Sequence, residues 1–493
     1  MAKVVIWQNG ESRELTYAGA LPLHNALEQC GLAVAHPCGG RGTCGKCAVQ
    51  VTGEVSELTD AEKKAGTRLS CQTVLLGDAV VILPDTKKVS QIETSGVEAG
   101  GQWKPMEGTY GAAVDIGTTT VALKLVDLKA GAVLAEAGML NPQTGVAADV
   151  MGRISAAMNG EGEKLRSQIT QAIGELIAEA CGHAGVAEEL VDVMVLTGNT
   201  TMLYLLTGRN PEPLSHAPFQ ADELFGMETE ILGRRTYLPP CMNAFVGADI
   251  TCAVQASGMC GREETTLLCD IGTNGEIALW KDGKLYVTST AAGPAFEGAG
   301  ISCGCGSVIG AVDKVWVEDG ELCAHTIGEQ PAVGVCGSGL IDAIAAFLEV
   351  ELVDETGASD EDELMLRDGI YLVPKDVRAV QVAKAAISAG IQTLMTLANT
   401  SVDQICTLYI AGGFGSHLNV TSAARIGLIP EELANKVSVI GNASLSGALG
   451  MLRNRDAVEE AQRIAANTSH VNLGGNPLFS ENYMEQMLFP ESE

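Results

Sequence analysis

An α+β unit at the N-terminus, followed by a much larger α/β unit made of two similar halves, is the fold class the sequence predicts. Four cysteines, Cys38, Cys44, Cys47 and Cys71, frame a glycine-rich loop between short strand-like runs. Further along, Val114-Asp115-Ile116-Gly117-Thr118 and Cys269-Asp270-Ile271-Gly272-Thr273 repeat one pattern, an apolar strand entering a glycine–threonine turn and leaving as a second apolar strand. A third apolar run, Leu408-Tyr409-Ile410-Ala411, enters the turn Gly412-Gly413-Phe414-Gly415. These features place one unit at residues 1–85 and the other at 109–493, with halves at about 109–262 and 263–493. Residues 86–108 carry Gly100-Gly101 and Pro105, show little apolar periodicity, and read as a linker.

In the first unit, Val4 to Trp7 reads as a strand, Leu23 to Cys30 as a short helix and Cys47 to Val55 as a second strand. Thr59-Asp60-Ala61-Glu62 has the form of a capping box opening another helix, and Asp78 to Leu83 closes the unit with a strand. The cysteines follow C-x5-C-x2-C with a distant fourth, one residue longer than the plant-type loop. A [2Fe–2S] cluster is held in that way, with three thiolates from one tight loop and the fourth from elsewhere. Glycines suit such a loop because the missing Cβ lets backbone N–H groups approach the sulfur atoms. Structural zinc draws more often on two short C-x2-C pairs, so the three-plus-one split favours Cys38, Cys44, Cys47 and Cys71 as iron ligands.

In the second unit, a D-I-G-T turn presents backbone N–H groups and hydroxyls to phosphate oxygens, and its aspartate can hold Mg²⁺ directly or through water. Asp115, Gly117, Thr118 and Thr119 therefore form one wall of an expected nucleotide cleft, and Asp270, Gly272, Thr273 and Asn274 the other. Gly412 and Gly413 let the backbone approach a flat purine or its ribose, with Phe414 beside them. Leu165, Ile169, Ile173, Leu176 and Ile177 recur at helical spacing and read as a core stripe. Cys303-Gly304-Cys305 lacks a matching cysteine pair and reads as thiols in a glycine-rich loop.

Composition narrows the function. With 31 basic and 61 acidic residues in 493, the net charge is −30, which argues against nucleic acid and anionic membrane surfaces as partners. No run of 18 apolar residues or basic-then-apolar leader is present, so no membrane association is expected. Fifteen cysteines, an odd number, fit a reducing compartment, and a cytoplasmic location is expected.

The N-terminal unit resembles β-grasp ferredoxins. The three glycine turns resemble the phosphate-1, phosphate-2 and adenosine motifs of the superfamily of acetate and sugar kinases, heat-shock ATPases and actin. That fold has two ribonuclease-H-like halves around an ATP cleft. Both units together, with Gly198-Asn199-Thr200-Thr201, Gly293-Pro294-Ala295-Phe296-Glu297-Gly298 and Ala411-Gly412-Gly413-Phe414-Gly415, resemble the reductive activators of corrinoid proteins, including those of O-demethylase and other corrinoid methyltransferase systems. The resemblance implies a [2Fe–2S] cluster, ATP and Mg²⁺ as cofactors. It also implies ATP-coupled transfer of one electron to an inactive Co(II) corrinoid protein, giving Co(I). An external low-potential donor, reduced ferredoxin or a flavoprotein, would refill the cluster. Asp115 and Asp270 would then serve the phosphates and metal, Gly412, Gly413 and Phe414 the adenosine, and Glu276 or Asp249 the attacking water. Some members carry an extra segment where this chain has only residues 86–108, so oligomeric state stays open, a homodimer being one option. Two other readings are an ATP-driven donor to a different low-potential enzyme and a redox-sensing, nucleotide-binding regulator without catalysis.

Overall fold

The computed structural model describes residues 1–8, 10–32, 34, 40, 42, 47–83, 93–97, 103–413 and 415–491. Cys38, Cys44 and Phe414 lie outside the described residues. In the N-terminal unit the strand Ala2–Gln8 pairs antiparallel with Glu11–Tyr17 and parallel with Val74–Ile82, which in turn pairs antiparallel with Ala48–Val55. Alternation along Val74–Ile82 turns Leu75, Ala79 and Val81 inward. There they meet Val4, Ile6 and the inner face of helix Leu23–Gln29 through Leu23, Ala26 and Leu27. The strand Glu11–Tyr17, sequence ESRELTY, is an edge strand that lacks an apolar run and was not among the predicted elements.

The capping box at Thr59 is formed. The Glu62 amide donates to Thr59 Oγ1 at 3.3 Å, and the Thr59 amide donates to Glu62 Oε2 at 2.8 Å. The Glu62 carboxylate is fully buried and reaches further: Oε1 accepts from the Leu69 amide at 3.2 Å and from Thr73 Oγ1 at 2.7 Å. One helix start is thereby tied to the segment that carries Cys71.

The larger unit contains the same sheet twice. In the first half, Tyr110–Ile116, Thr120–Asp127 and Val133–Leu140 form an antiparallel meander. Val191–Gly198 lies parallel beside Tyr110–Ile116, and Arg234–Leu238 parallel beside that. In the second half, Thr265–Ile271, Gly275–Lys281 and Lys284–Thr290 make the meander, followed outward by Ile405–Ala411 and Val437–Gly441, again parallel. This is the duplicated α/β architecture expected from the repeated turn.

Helix Gly162–Ala184 lays Leu165, Ile169, Ile173, Leu176 and Ile177 on the first sheet, where each fully buried aliphatic side chain contributes roughly 1.5–3 kcal/mol. Two other helices bind the halves by exchange. Ala248–Ser257, from the first half, packs Ile250, Ala253 and Val254 on Leu268, Ala278 and Val287 of the second sheet. Ala443–Arg453, from the second half, packs Leu445, Ala448 and Leu452 against Ala113, Val193 and Val195 of the first. The two helices meet at Gly447, where a Cβ would overlap the Cys252 backbone, so only glycine permits this approach.

The described parts of the interdomain segment run along the larger unit. Val97 donates its amide to Ile440 O at 3.1 Å, and Asn442 donates its amide to Ser95 O at 2.8 Å. Residues 95–97 thus pair antiparallel with the end of the edge strand Val437–Gly441, with Gly96 opposite Gly441. Met106 is buried against Leu452 and neighbouring residues, donating its amide to Leu452 O at 2.9 Å. An ion pair between Glu28 and Lys164, 2.6 Å, joins the N-terminal unit to the first half. Among the described residues no helix is long and apolar enough to cross a membrane.

Candidate functional site

The two D-I-G-T hairpins face each other across a cleft of about 380 Å³. Asp115, Gly117, Thr118 and Thr119 line it from the first half, and Asp270, Gly272, Thr273, Asn274 and Glu276 from the second. Asp249, in the first turn of helix Ala248–Ser257, and Gly412 and Gly413, after strand Ile405–Ala411, line it too. The cleft therefore collects every described residue that the sequence assigned to nucleotide and catalysis. Gly412 has φ +92°, and a Cβ there would lie 2.6 Å from Asp270 Oδ1, so this turn can pass the carboxylate only as glycine.

Carboxylates dominate the electrostatics. Asp115 accepts from Asn442 Nδ2 at 3.0 Å and from Ser444 Oγ at 2.9 Å. Burial raises its pKa, and these two hydrogen bonds offset part of the rise. Burial and then the charge of Asp115 push Asp270 up to about 7. Burial and then the charges of Asp270 and Asp115 push Asp249 up to about 8. Glu276 is raised well above the usual glutamate range by burial, then by Asp249 and Asp270, although it accepts from Ser289 Oγ at 3.1 Å. Glu93 and Glu297 bring the lining carboxylates to six, and no lysine or arginine stands among the described lining residues. A polyphosphate can enter such a site only together with a cation.

The six carboxylates offer oxygen ligands, the chemistry of a hard divalent ion. No three His, Cys, Asp or Glu side chains converge tightly enough to hold a metal by themselves among the described residues. Mg²⁺ is usually bound by one or two carboxylates together with waters and substrate phosphates, and Asp115 and Asp270 line the cleft as carboxylates of that kind.

Several site residues carried no assigned role in the sequence reading. Asn199 caps helix Thr200–Thr207 through the Met202 amide at 3.0 Å and donates to Thr118 Oγ1 at 3.1 Å. Arg153 is fully buried behind the first turn, where it donates to the Thr118 carbonyl and to Gln143 Oε1, the latter at 3.1 Å. Burial lowers its pKa to about 10, which leaves it a cation at neutral pH. Glu297 accepts from Thr119 Oγ1 at 2.9 Å and from Thr273 Oγ1 at 2.6 Å, bridging the two hairpins.

At the other site, Cys47 is buried at the start of strand Ala48–Val55 and its sulfur lies 3.2 Å from that of Cys71. This is well beyond the ~2.05 Å of a disulfide. Gln72 Nε2 donates to Gly40 O at 2.7 Å and so holds Gly40 near Cys71. Gly42 has φ +71°, and a Cβ there would come within 2.8 Å of the Ala61 side chain. Two thiols side by side, with Gly40 held by Gln72 and no room for a Cβ at Gly42, fit an iron–sulfur cluster.

Fold and site together define an iron–sulfur protein built on a two-halved ATPase fold. Residues 7–76 match the 2Fe-2S iron-sulfur cluster binding domain, residues 110–262 the RACo middle region, and residues 264–493 the C-terminal domain of RACo, the ASKHA domain. The corrinoid activation enzyme RamQ of Eubacterium limosum is 35% identical over 424 residues, 78% of this chain and 71% of that protein. The [Co(II) methylated amine-specific corrinoid protein] reductase of Methanosarcina barkeri is 27% identical over 425 residues, 77% of each. A solved reductive activator for corrinoid, iron-sulfur protein superposes with a TM-score of 0.72 at 28% identity, covering 100% of this chain and 99% of that one. The chain belongs to the family of corrinoid activation enzymes.

Proposed function

We propose that this chain reductively activates a corrinoid protein. The N-terminal unit would hold the [2Fe–2S] cluster that supplies the single electron taking the partner's cobalt from Co(II) to Co(I), and the cleft would hydrolyse ATP. The observation that carries the reading is the joining, in one chain, of the Cys47–Cys71 site to a cleft whose six carboxylates demand a cation with any polyphosphate.

Cys38, Cys44, Cys47 and Cys71 hold the cluster, whose chemistry is the storage and release of single electrons. Asp115 and Asp270 would hold Mg²⁺, and Asn442 and Ser444 fix the Asp115 carboxylate in place. Thr118, Thr119, Thr273, Asn274 and the backbone at Gly117 and Gly272 take phosphate oxygens, with the Arg153 cation behind the Thr118 turn. Gly412, Gly413 and Phe414 border the adenosine. Asp249 or Glu276, whose pKa values burial and then neighbouring carboxylates raise, would accept a proton from the attacking water.

Plant-type [2Fe–2S] centres lie near roughly −400 mV, and each ~59 mV of deficit against a one-electron acceptor costs about a factor of ten. ATP offsets such a deficit by binding two protein conformations differently. The two half-domains that face each other across the cleft are the elements such conformations would involve. The residue 95–97 strap, bonded to Asn442 beside Asp115, lies between the cleft and the cluster unit in the chain. The test is anaerobic ATPase activity of the cluster-loaded chain with and without a Co(II) corrinoid protein. Stimulation by the partner, lost in Asp270→Ala, is expected, and an ATPase indifferent to every corrinoid protein tried would remove the reading.

A further inference from the structure

Glu297 stands at the end of the single helical turn Pro294–Glu297 and reaches between the hairpins of the two halves. Its two oxygens are divided between them, Oε2 accepting from Thr119 at 2.9 Å and Oε1 from Thr273 at 2.6 Å. The turn that carries it is fixed on both sides. Gly293 donates its amide to Thr273 O at 2.9 Å, and Gly298, at φ +72°, lies so close to the Cys305 backbone that a Cβ would overlap it.

A threonine hydroxyl has one hydrogen to donate. While Thr119 and Thr273 donate to Glu297, neither can donate to a phosphate. A phosphate oxygen placed beside that carboxylate would also meet its negative charge in a cleft whose described lining includes no lysine or arginine. Carboxylate and phosphate therefore compete for the same two donors.

We propose that Glu297 is a bolt across the cleft, joining Thr119 to Thr273 until the terminal phosphate of a nucleoside triphosphate takes both hydroxyls in its place. The bolt rests on the phosphate-binding role of the two hairpins proposed above. It makes Glu297 a positioning residue that acts through the threonines and separates triphosphate from diphosphate. A diphosphate, lacking the terminal group, leaves the bolt in place, whereas a triphosphate must withdraw it.

The test is calorimetric binding of Mg²⁺ADP and of a non-hydrolysable Mg²⁺ATP analogue to the cluster-loaded full chain, wild type against Glu297→Gln and Glu297→Ala. Both variants should bind the triphosphate about tenfold more tightly, the worth of roughly one net hydrogen bond no longer broken on binding. Their affinity for the diphosphate should stay within about twofold of wild type, a change too small for a lost hydrogen bond. Equal tightening for both nucleotides would mean that only charge repulsion had been relieved, and would overturn the bolt. Unchanged or weaker triphosphate binding in both variants would overturn it as well, and would make Glu297 a ligand of the nucleotide or its metal. Retained diphosphate binding and an unaltered cluster spectrum show that a variant has folded. Failure of the wild-type chain to bind either nucleotide would instead refute the phosphate-binding role of the hairpins, and the bolt with it.

Discussion

Replacing Glu62 by glutamine should loosen the iron–sulfur site from a distance. The Glu62 carboxylate is fully buried and accepts four hydrogen bonds, from the Thr59 amide (2.8 Å), Thr59 Oγ1 (3.0 Å), the Leu69 amide (3.2 Å) and Thr73 Oγ1 (2.7 Å). Burial alone would raise its pKa, yet hydrogen bonds from Thr59, Thr73 and Leu69 together hold it below the usual value. An amide keeps one accepting oxygen and turns the other position into a donor. At least one backbone amide then loses its acceptor, at about 1–3 kcal/mol for a buried unsatisfied group. Arg68, 3.5 Å from the carboxylate and mostly buried, loses its charged partner too. The loss should total about 2–4 kcal/mol, roughly 30- to 1000-fold in the local folding equilibrium. Because the Leu69–Thr73 segment contains Cys71, the loss should be felt at the cluster. Guanidinium titration of the full chain, followed through cluster absorbance, should show an earlier midpoint in Glu62→Gln. The midpoint of the nucleotide cleft, followed by a bound fluorescent nucleotide, should not move, since that unit has cores of its own. A cluster midpoint shifted by less than about 0.5 kcal/mol would refute the reasoning, because even one lost buried hydrogen bond should exceed it.

Other perturbations have equally definite outcomes. Lys384 is fully buried, donates to the Leu488 carbonyl and lies 5.4 Å from the centre of the Phe489 ring, and burial lowers its pKa to about 8. The unfolded value is near 10.4, so the unfolded chain binds more protons between those limits and stability should rise with pH across that window, by about 3 kcal/mol in all. Subtracting the denaturation profile of Lys384→Met from that of wild type should isolate this rise, and parallel profiles would disprove it. At Gly96 a Cβ would fall 2.7 Å from Asn442 O, so Gly96→Val should lift the 95–97 strap from the sheet edge. Amide exchange at Val97 should then speed up at least tenfold, the equivalent of about one backbone hydrogen bond lost. Unaltered exchange would show that the strap tolerates the side chain. Removing divalent ions with a chelator should abolish nucleotide binding, since six carboxylates face the phosphates, and Mg²⁺ should restore it. Binding that survives chelation would contradict the charge argument.

What the sequence could disclose were the elements whose chemistry is local. The D-I-G-T hairpins, the Thr59–Glu62 capping box and the stripe from Leu165 to Ile177 each declare themselves within a short stretch, through strand alternation, cap spacing or helical period. The partners that complete the cleft are distant in sequence. Asn442 lies 327 residues from Asp115, and Glu297 lies 178 from Thr119, so only the folded chain brings them together. Nothing local predicts the burial of Arg153 behind the Thr118 turn. The strand Glu11–Tyr17 was illegible for the opposite reason, since an exposed edge strand needs no apolar run. Residues 95–97 pair with the sheet through backbone groups of Ser95 and Val97 that any linker offers. Exchange of the helices Ala248–Ser257 and Ala443–Arg453 between the halves leaves no mark in periodicity, because each helix is apolar enough to pack on either sheet.

The central claim, that ATP drives an electron from this chain to a corrinoid, is tested most directly by a single-turnover experiment. The chain is reduced anaerobically, freed of excess reductant and mixed with a Co(II) corrinoid protein, with no nucleotide, with a non-hydrolysable ATP analogue or with Mg²⁺ATP, while Co(I) absorbance and the cluster signal are followed together. The account predicts that Co(I) forms in step with cluster oxidation only with Mg²⁺ATP, and not in Cys71→Ala or Asp270→Ala. Co(I) forming at the same rate without nucleotide, or a cluster that stays reduced in the presence of ATP and a competent corrinoid partner, would contradict it.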